Sequence, residues 1–224
     1  MELWLIYGGT FDPVHNGHLA IARCARDALR TTVRLMPAAD PPHRPPPGAD
    51  ALQRARMLDI AIAGEPGLKV DRRELERDGR SWTADTLRAL RAEIGAQRPV
   101  ALLVGADSFL GLPDWKEWRA LFGLAHFVVA ERPGSPIDGH LRPELAEEAA
   151  ARWTDGPSTL GEAPAGRIWR LRQPLSNTSA SDIRRRMATG GDWQACMPAA
   201  VAAYIERHGL YGLAPLRSPA RISR

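Results

Sequence analysis

The 224-residue chain has only two cysteines, Cys24 and Cys196, too few and too far apart for a disulfide framework. That usage favours a reducing, cytoplasmic setting. No apolar run approaches the roughly 20 residues a membrane-spanning helix needs, so no membrane partner is expected. The opening MELWLIYGG lacks a basic n-region and a small-residue cleavage site and does not read as a signal peptide. Lysine is almost missing: Lys69 and Lys116 are the only two, so the +4 net charge rests on arginine. Those arginines form no basic block with interleaved aromatics, which excludes nucleic acid as an expected partner. Neither the Gly-Lys-Ser/Thr phosphate loop nor Gly-x-Gly-x-x-Gly occurs. A dedicated metal cage is not expected either, since there is no His-x-x-x-His, cysteine cluster or paired-carboxylate spacing.

What is present is ordinary globular composition, 44% hydrophobic and 25% charged, enough to bury a sizeable core. The run from Glu2 to Tyr7 is apolar and strand-forming, and it ends at Gly8-Gly9. Strands are likewise predicted at Thr32–Met36, Leu68–Leu75, Val100–Val104, His126–Ala130 and Ile168–Leu171. Between and after them, helical spacing predicts Gly17–Leu29, Ala51–Ala63, Thr83–Ile94, Ser179–Ala188 and Ala199–His208, with Gly190 and Gly209 just past two of the ends. Strands alternating with helices imply an open α/β fold, a parallel sheet with helices on both faces. Residues 1–212 read as one domain. Within it, 134–166 reads as an excursion from the sheet with one helix from Pro143 to Trp153, and 213–224 reads as a flexible tail.

The most informative stretch is Gly8-Gly9-Thr10-Phe11-Asp12-Pro13-Val14-His15-Asn16-Gly17-His18-Leu19. Glycines without Cβ let backbone N–H groups approach an oxyanion, and the following helix start carries partial positive charge. His15 and His18 lie three apart and project to the same side of that helix start. Singly, each histidine is more often a structural hydrogen-bonder. The pair after a strand and a Gly-Gly turn instead suits a polyphosphate. Asp12 reads as a turn residue.

GGTFDPVHNGHL is similar to the signature of the nucleotidyltransferase superfamily, whose members carry His-x-Gly-His. More narrowly, the chain resembles the bacterial nicotinate-nucleotide adenylyltransferases. The same resemblance runs through Pro41-Pro42-His43-Arg44-Pro45, Ser81-Trp82-Thr83-Ala84-Asp85-Thr86-Leu87, Leu103-Val104-Gly105-Ala106-Asp107-Ser108, Trp115, Arg132-Pro133-Gly134 and Ser179-Ala180-Ser181-Asp182-Ile183-Arg184. It implies a Rossmann-like nucleotidyltransferase fold and a reaction joining ATP to nicotinate mononucleotide. Other small nucleotidyltransferases, acting on phosphopantetheine or nicotinamide mononucleotide, and a non-catalytic nucleotide-binding module are the alternatives.

Carried onto this chain, the resemblance implies His15, His18 and Arg184 as catalytic residues. It implies Gly8, Gly9, Thr10, Phe11, Gly105, Asp107, Ser179 and Ser181 as further ATP contacts. His43, Arg44, Thr83, Ala84, Trp115 and Arg132 would hold the mononucleotide. Thr83 and Ala84 open a predicted helix, where N–H groups and the dipole favour an anion. Trp115 offers a stacking face, although a core or rim role is equally open to any one tryptophan. Magnesium is expected through the ATP phosphates, without protein ligands. Lys116 stands where relatives often carry an aromatic. Thr178 and Ser181 replace the family's Ile and Thr.

Overall fold

Strand β1 (Trp4–Gly9) turns Leu5 and Tyr7 to one face and Ile6 to the other, and all three are buried. A strand covered on both sides belongs inside a parallel sheet. The structure, a computed structural model describing residues 2–40, 48–77, 79–131, 137, 139–172 and 178–215, places it there. With it run β2 (Val33–Pro37), β3 (Leu68–Val70), β4 (Val100–Gly105), β5 (His126–Ala130), β6 (Trp153–Thr154) and β7 (Ile168–Leu171). Their order is β3-β2-β1-β4-β5-β7-β6, and every pairing is parallel.

The described helices are α1 (Asn16–Leu29), α2 (Ala51–Ala61), α3 (Thr83–Ile94), α4 (Ala106–Leu110), α5 (Trp118–Leu124), α6 (Pro143–Ala149), α7 (Ala180–Thr189) and α8 (Ala199–His208). The period-two alternation along the strands sorts them. Leu5, Leu35, Leu103 and Val128 face a core built with α1, α2, α7 and α8. Ile6, Met36, Leu102 and Phe127 face a second core built with α3, α4, α5 and α6. Helices therefore cover both faces.

From β1 the chain winds out through β2 and β3 to one side, and from β4 through β5 to the other. That reversal opens a crevice beyond the carboxyl ends of β1 and β4. Gly8-Gly9 and Gly105 stand at those ends.

Several elements differ from the sequence reading. β3 stops at Val70 instead of Leu75, because the Asp71 carboxylate captures the Arg73 backbone N–H and guanidinium and bends the chain. Helix α6 ends at Ala149 rather than Trp153, since Trp153 and Thr154 pair with Ile168 and Trp169. Segment 134–166 is thus no pure excursion; it supplies β6, one of the sheet's two edge strands. The short helices α4 and α5 were not expected. Gly190 and Gly209 do end α7 and α8 in the left-handed region, at φ 71° and 59°. Residues 216–224 of the expected tail lie outside the described residues. Among the described residues, no helix is long and apolar enough to cross a membrane.

Candidate active site

The loop from β1 to α1 forms the floor of the crevice. Phe11 takes a left-handed backbone (φ 51°) and is buried, its ring edge-on to Tyr7 at 5.4 Å and to His18 at 5.0 Å between centroids. A Cβ on Gly9 would come within 3.1 Å of that ring, tight enough that packing favours a glycine there. His15 is the N-cap residue of α1 and His18 stands in its first turn. Their imidazoles stack at 3.7 Å between centroids, tilted by 31°, and His15 is 1% exposed. The two expected histidines therefore sit together.

Two buried charged groups hold this loop. Arg54, fully buried on α2, donates through Nη1 to the Thr10 carbonyl at 2.7 Å. Its other donors reach Ala38 at 2.7 Å, Ala39 at 3.2 Å and Ala49 at 3.1 Å. Burial pulls its pKa down, and the nearby Asp12 carboxylate opposes that. Asp12 accepts from the Gly48 and Ala49 backbone N–H groups at 2.9 and 3.2 Å and from the Tyr211 hydroxyl at 2.9 Å. Burial and the Asp12 charge push the Tyr211 phenol far up, which keeps it a donor. Arg184 Nη1 donates to the Asp12 carbonyl at 2.5 Å and lies 3.6 Å from its carboxylate. Asp12 is therefore a junction of four chain segments, more than a turn residue.

A cleft of about 320 Å³ opens along the crevice. Gly8, Gly9 and Thr10 line it from β1, Asp107 and Ser108 from α4, and Trp82, Thr83, Trp115 and Lys116 from the far wall. Buried Glu74 belongs to the same lining. It accepts from the Thr86 hydroxyl at 2.8 Å, and Ser81 is a second donor. The Ser81 oxygen in turn accepts from the backbone N–H groups of Ala39 and Asp40 at 2.9 and 3.3 Å. This chain ties the loop after β2 to the loop before α3. Burial pushes the Glu74 carboxyl up, against the lowering effect of Thr86, Ser81 and Arg77.

Of the expected residues, Gly8, Gly9, Thr10, Asp107, Thr83 and Trp115 line this cleft. Phe11 and Ala84 are buried. Gly105 is the N-cap residue of α4. The Ser179 hydroxyl caps α7 by accepting from the Asp182 N–H at 3.1 Å and lies 3.2 Å from the Ser181 hydroxyl. Arg185 and Arg186 pair with Asp182, away from Arg184's partner. His43, Arg44 and Arg132 lie outside the described residues. Arg54, Glu74 and Tyr211 went unread. Their only mark in the sequence is a charged or polar residue inside an otherwise ordinary segment.

An open parallel α/β sheet with paired histidines at its switch point is the arrangement of a nucleotidyltransferase. The cytidylyltransferase-like family matches residues 6–186 of the chain. A probable nicotinate-nucleotide adenylyltransferase of Stenotrophomonas maltophilia (strain K279a) is 59% identical over 216 residues, covering 94% of this chain and 97% of that relative. A second, from Marinobacter nauticus (strain ATCC 700491 / DSM 11845 / VT8), is 45% identical over 213 residues, covering 95% and 98%. The fold also matches the solved structure of Plasmodium falciparum nicotinic acid mononucleotide adenylyltransferase complexed with NaAD. That match has a TM-score of 0.72 at 17% identity and covers 96% of this chain and 99% of the other. The chain belongs to the cytidylyltransferase-like family and, within it, to the nicotinate-nucleotide adenylyltransferases.

Glu74 gives the site a pH signature. A carboxyl whose folded pKa is raised holds its proton more tightly when folded. Its contribution is full below the unfolded value, about 4.3, and is lost as pH rises through the folded value. Urea unfolding of wild type and Glu74→Gln should show wild-type stability, relative to the variant, declining as pH rises from about 4 towards neutrality. A difference that stays flat or grows with pH contradicts the assignment.

Proposed function

We propose that the protein transfers the adenylyl group of ATP to nicotinate mononucleotide, forming nicotinate adenine dinucleotide and pyrophosphate, a step of NAD biosynthesis. The observation that carries this reading is the stacked His15–His18 pair at the start of α1, on the same β1–α1 connection whose Gly8–Thr10 stretch lines the cleft. A phosphate oxygen of the mononucleotide attacks the α-phosphorus of ATP. The bond from that phosphorus to the bridging oxygen breaks, and pyrophosphate leaves with its electron pair. With a second phosphate pKa of about 6, the nucleophile is already largely ionised at neutral pH, so no general base is needed. The chain's task is to align two anions and to stabilise charge on the α-phosphate and the leaving group.

His15 and His18 serve the ATP phosphates, with His18 acting on the developing charge. Arg184, steadied by the Asp12 carbonyl, presents its remaining donors to the β- or γ-phosphate beside Ser179 and Ser181. Gly105 and Asp107 suit adenosine and its ribose. Thr83 and Ala84 offer helix-start N–H groups to the ring carboxylate, and Trp115 offers a face to the ring. His43 and Arg44 are proposed for the mononucleotide phosphate, and Arg132 beside them.

The donors around the loop, two imidazoles and a guanidinium, suit phosphate oxygens. Among the described residues no group of three or more His, Cys, Asp or Glu is arranged for a metal ion. Magnesium enters as part of the ATP substrate, on its phosphates, where it supplies charge neutralisation when bound.

The direct test is pyrophosphate release from ATP with nicotinate mononucleotide, nicotinamide mononucleotide and phosphopantetheine offered in parallel. Release is expected with the first; its absence overturns the proposal, and release only with another acceptor redirects it. His18→Ala should lower kcat by about 10²-fold with a much smaller change in ATP binding, because its contribution belongs to the transition state. An unchanged kcat would show that His18 is misassigned.

A further inference from the structure

The titratable side chains on the wall of the cleft are almost all carboxyls. Glu74, Asp107 and Asp114 line it, and Lys116 is the only basic side chain among the described lining residues. Lys116 is also one of just two lysines in a chain whose other 28 basic residues are arginine. Its ammonium is held in a defined place. Nζ lies 3.0 and 3.2 Å from the two Asp85 oxygens and 5.7 Å from the centroid of the Trp82 ring, itself part of the lining. Asp85 is additionally 3.5 Å from Arg88, whose guanidinium also pairs with Glu117. These ion pairs fasten the Trp115–Glu117 turn to the first turn of α3, next to Thr83. An ammonium has three donors, and the single Asp85 carboxylate, with its oxygens 3.0 and 3.2 Å away, does not exhaust them.

A pyridine carboxylate and a pyridine carboxamide have nearly the same shape. What separates them is one negative charge on the first and an N–H₂ donor group on the second. Backbone N–H groups accommodate an oxygen of either. A fixed cation rewards only the carboxylate, and it faces the amide's donors with donors of its own. In a cleft also lined by Glu74, Asp107 and Asp114, such a group adds to the helix-start N–H groups in favouring an anion over a neutral amide.

We infer that Lys116 is the residue that selects the acid form of the pyridine mononucleotide, a remaining ammonium donor meeting the ring carboxylate at the mouth of the cleft. The inference rests on the adenylyltransferase reading above and deepens it. Lys116 takes no part in the transfer step itself. It acts on which acceptor is bound, so its effect belongs to KM for the acid and not to kcat.

The experiment compares full-length wild type, Lys116→Gln and Lys116→Arg, with thermal melts to confirm equal folding. It measures pyrophosphate release with nicotinate mononucleotide and with nicotinamide mononucleotide. Lys116→Gln should lower the acid-over-amide ratio of kcat/KM by about tenfold, through KM for the acid, while Lys116→Arg keeps the ratio within about threefold of wild type. Raising ionic strength should erode the preference in wild type and leave it unchanged in Lys116→Gln. An equal fall for both substrates, or an unchanged ratio in Lys116→Gln, overturns the Lys116 assignment while leaving the activity intact. A wild-type chain that releases no pyrophosphate with the acid overturns the activity reading, and the selection of that substrate with it.

Discussion

Arg54 is fully buried, and its guanidinium donates to the carbonyl oxygens of Thr10, Ala38, Ala39 and Ala49. These oxygens come from the ends of β1 and β2 and from the approach to α2. They belong to loops where no sheet ladder is available, and an unpaired buried carbonyl costs about 1–3 kcal/mol. One rigid fork of donors satisfies four of them at once. The glycine-rich loop, and with it the floor of the cleft, therefore keeps its shape before any ligand arrives. Preorganisation of this kind is what an electrostatic catalyst needs, because donors that must reorganise during the reaction lose most of their effect.

Asp12 extends the same logic outward. It holds the backbone before α2, the Tyr211 hydroxyl near the far end of the chain, and Arg184 in the second turn of α7. Segments separated by up to 199 residues thus meet at one carboxylate within the histidine motif. Glu74 does the equivalent on the other wall, linking through Ser81 the loops that follow β2 and precede α3. The proposed ATP side and mononucleotide side are each pinned by one buried acid. The two converge on β1, beside the point where the sheet reverses.

The central strands were legible because both their faces are buried, which leaves uninterrupted apolar runs such as Val100–Val104 and His126–Ala130. The ends of α7 and α8 were legible because Gly190 and Gly209 adopt the left-handed conformation that ends a helix. β6 was not, since two residues carry no period and their partner lies in β7. The end of β3 was missed because a local Asp71–Arg73 contact overrides strand propensity. Within the site, the histidine pair and the cleft-lining residues Thr83, Asp107 and Trp115 stood out through motif and position. Arg54 did not: in the run Gln53-Arg54-Ala55-Arg56 nothing separates a buried arginine from a solvated one. The packing of the Phe11 ring against Gly9 and His18 was not legible either, since it depends on the left-handed turn at Phe11.

The proposed chemistry gives these groups no nucleophilic role: they orient and neutralise, and the acceptor phosphate attacks directly. The most direct test uses ATP made chiral at the α-phosphorus by a single sulfur substitution, with the configuration of the dinucleotide product determined. A single in-line displacement predicts inversion. Retention would reveal two displacements through an adenylylated side chain and would contradict the account.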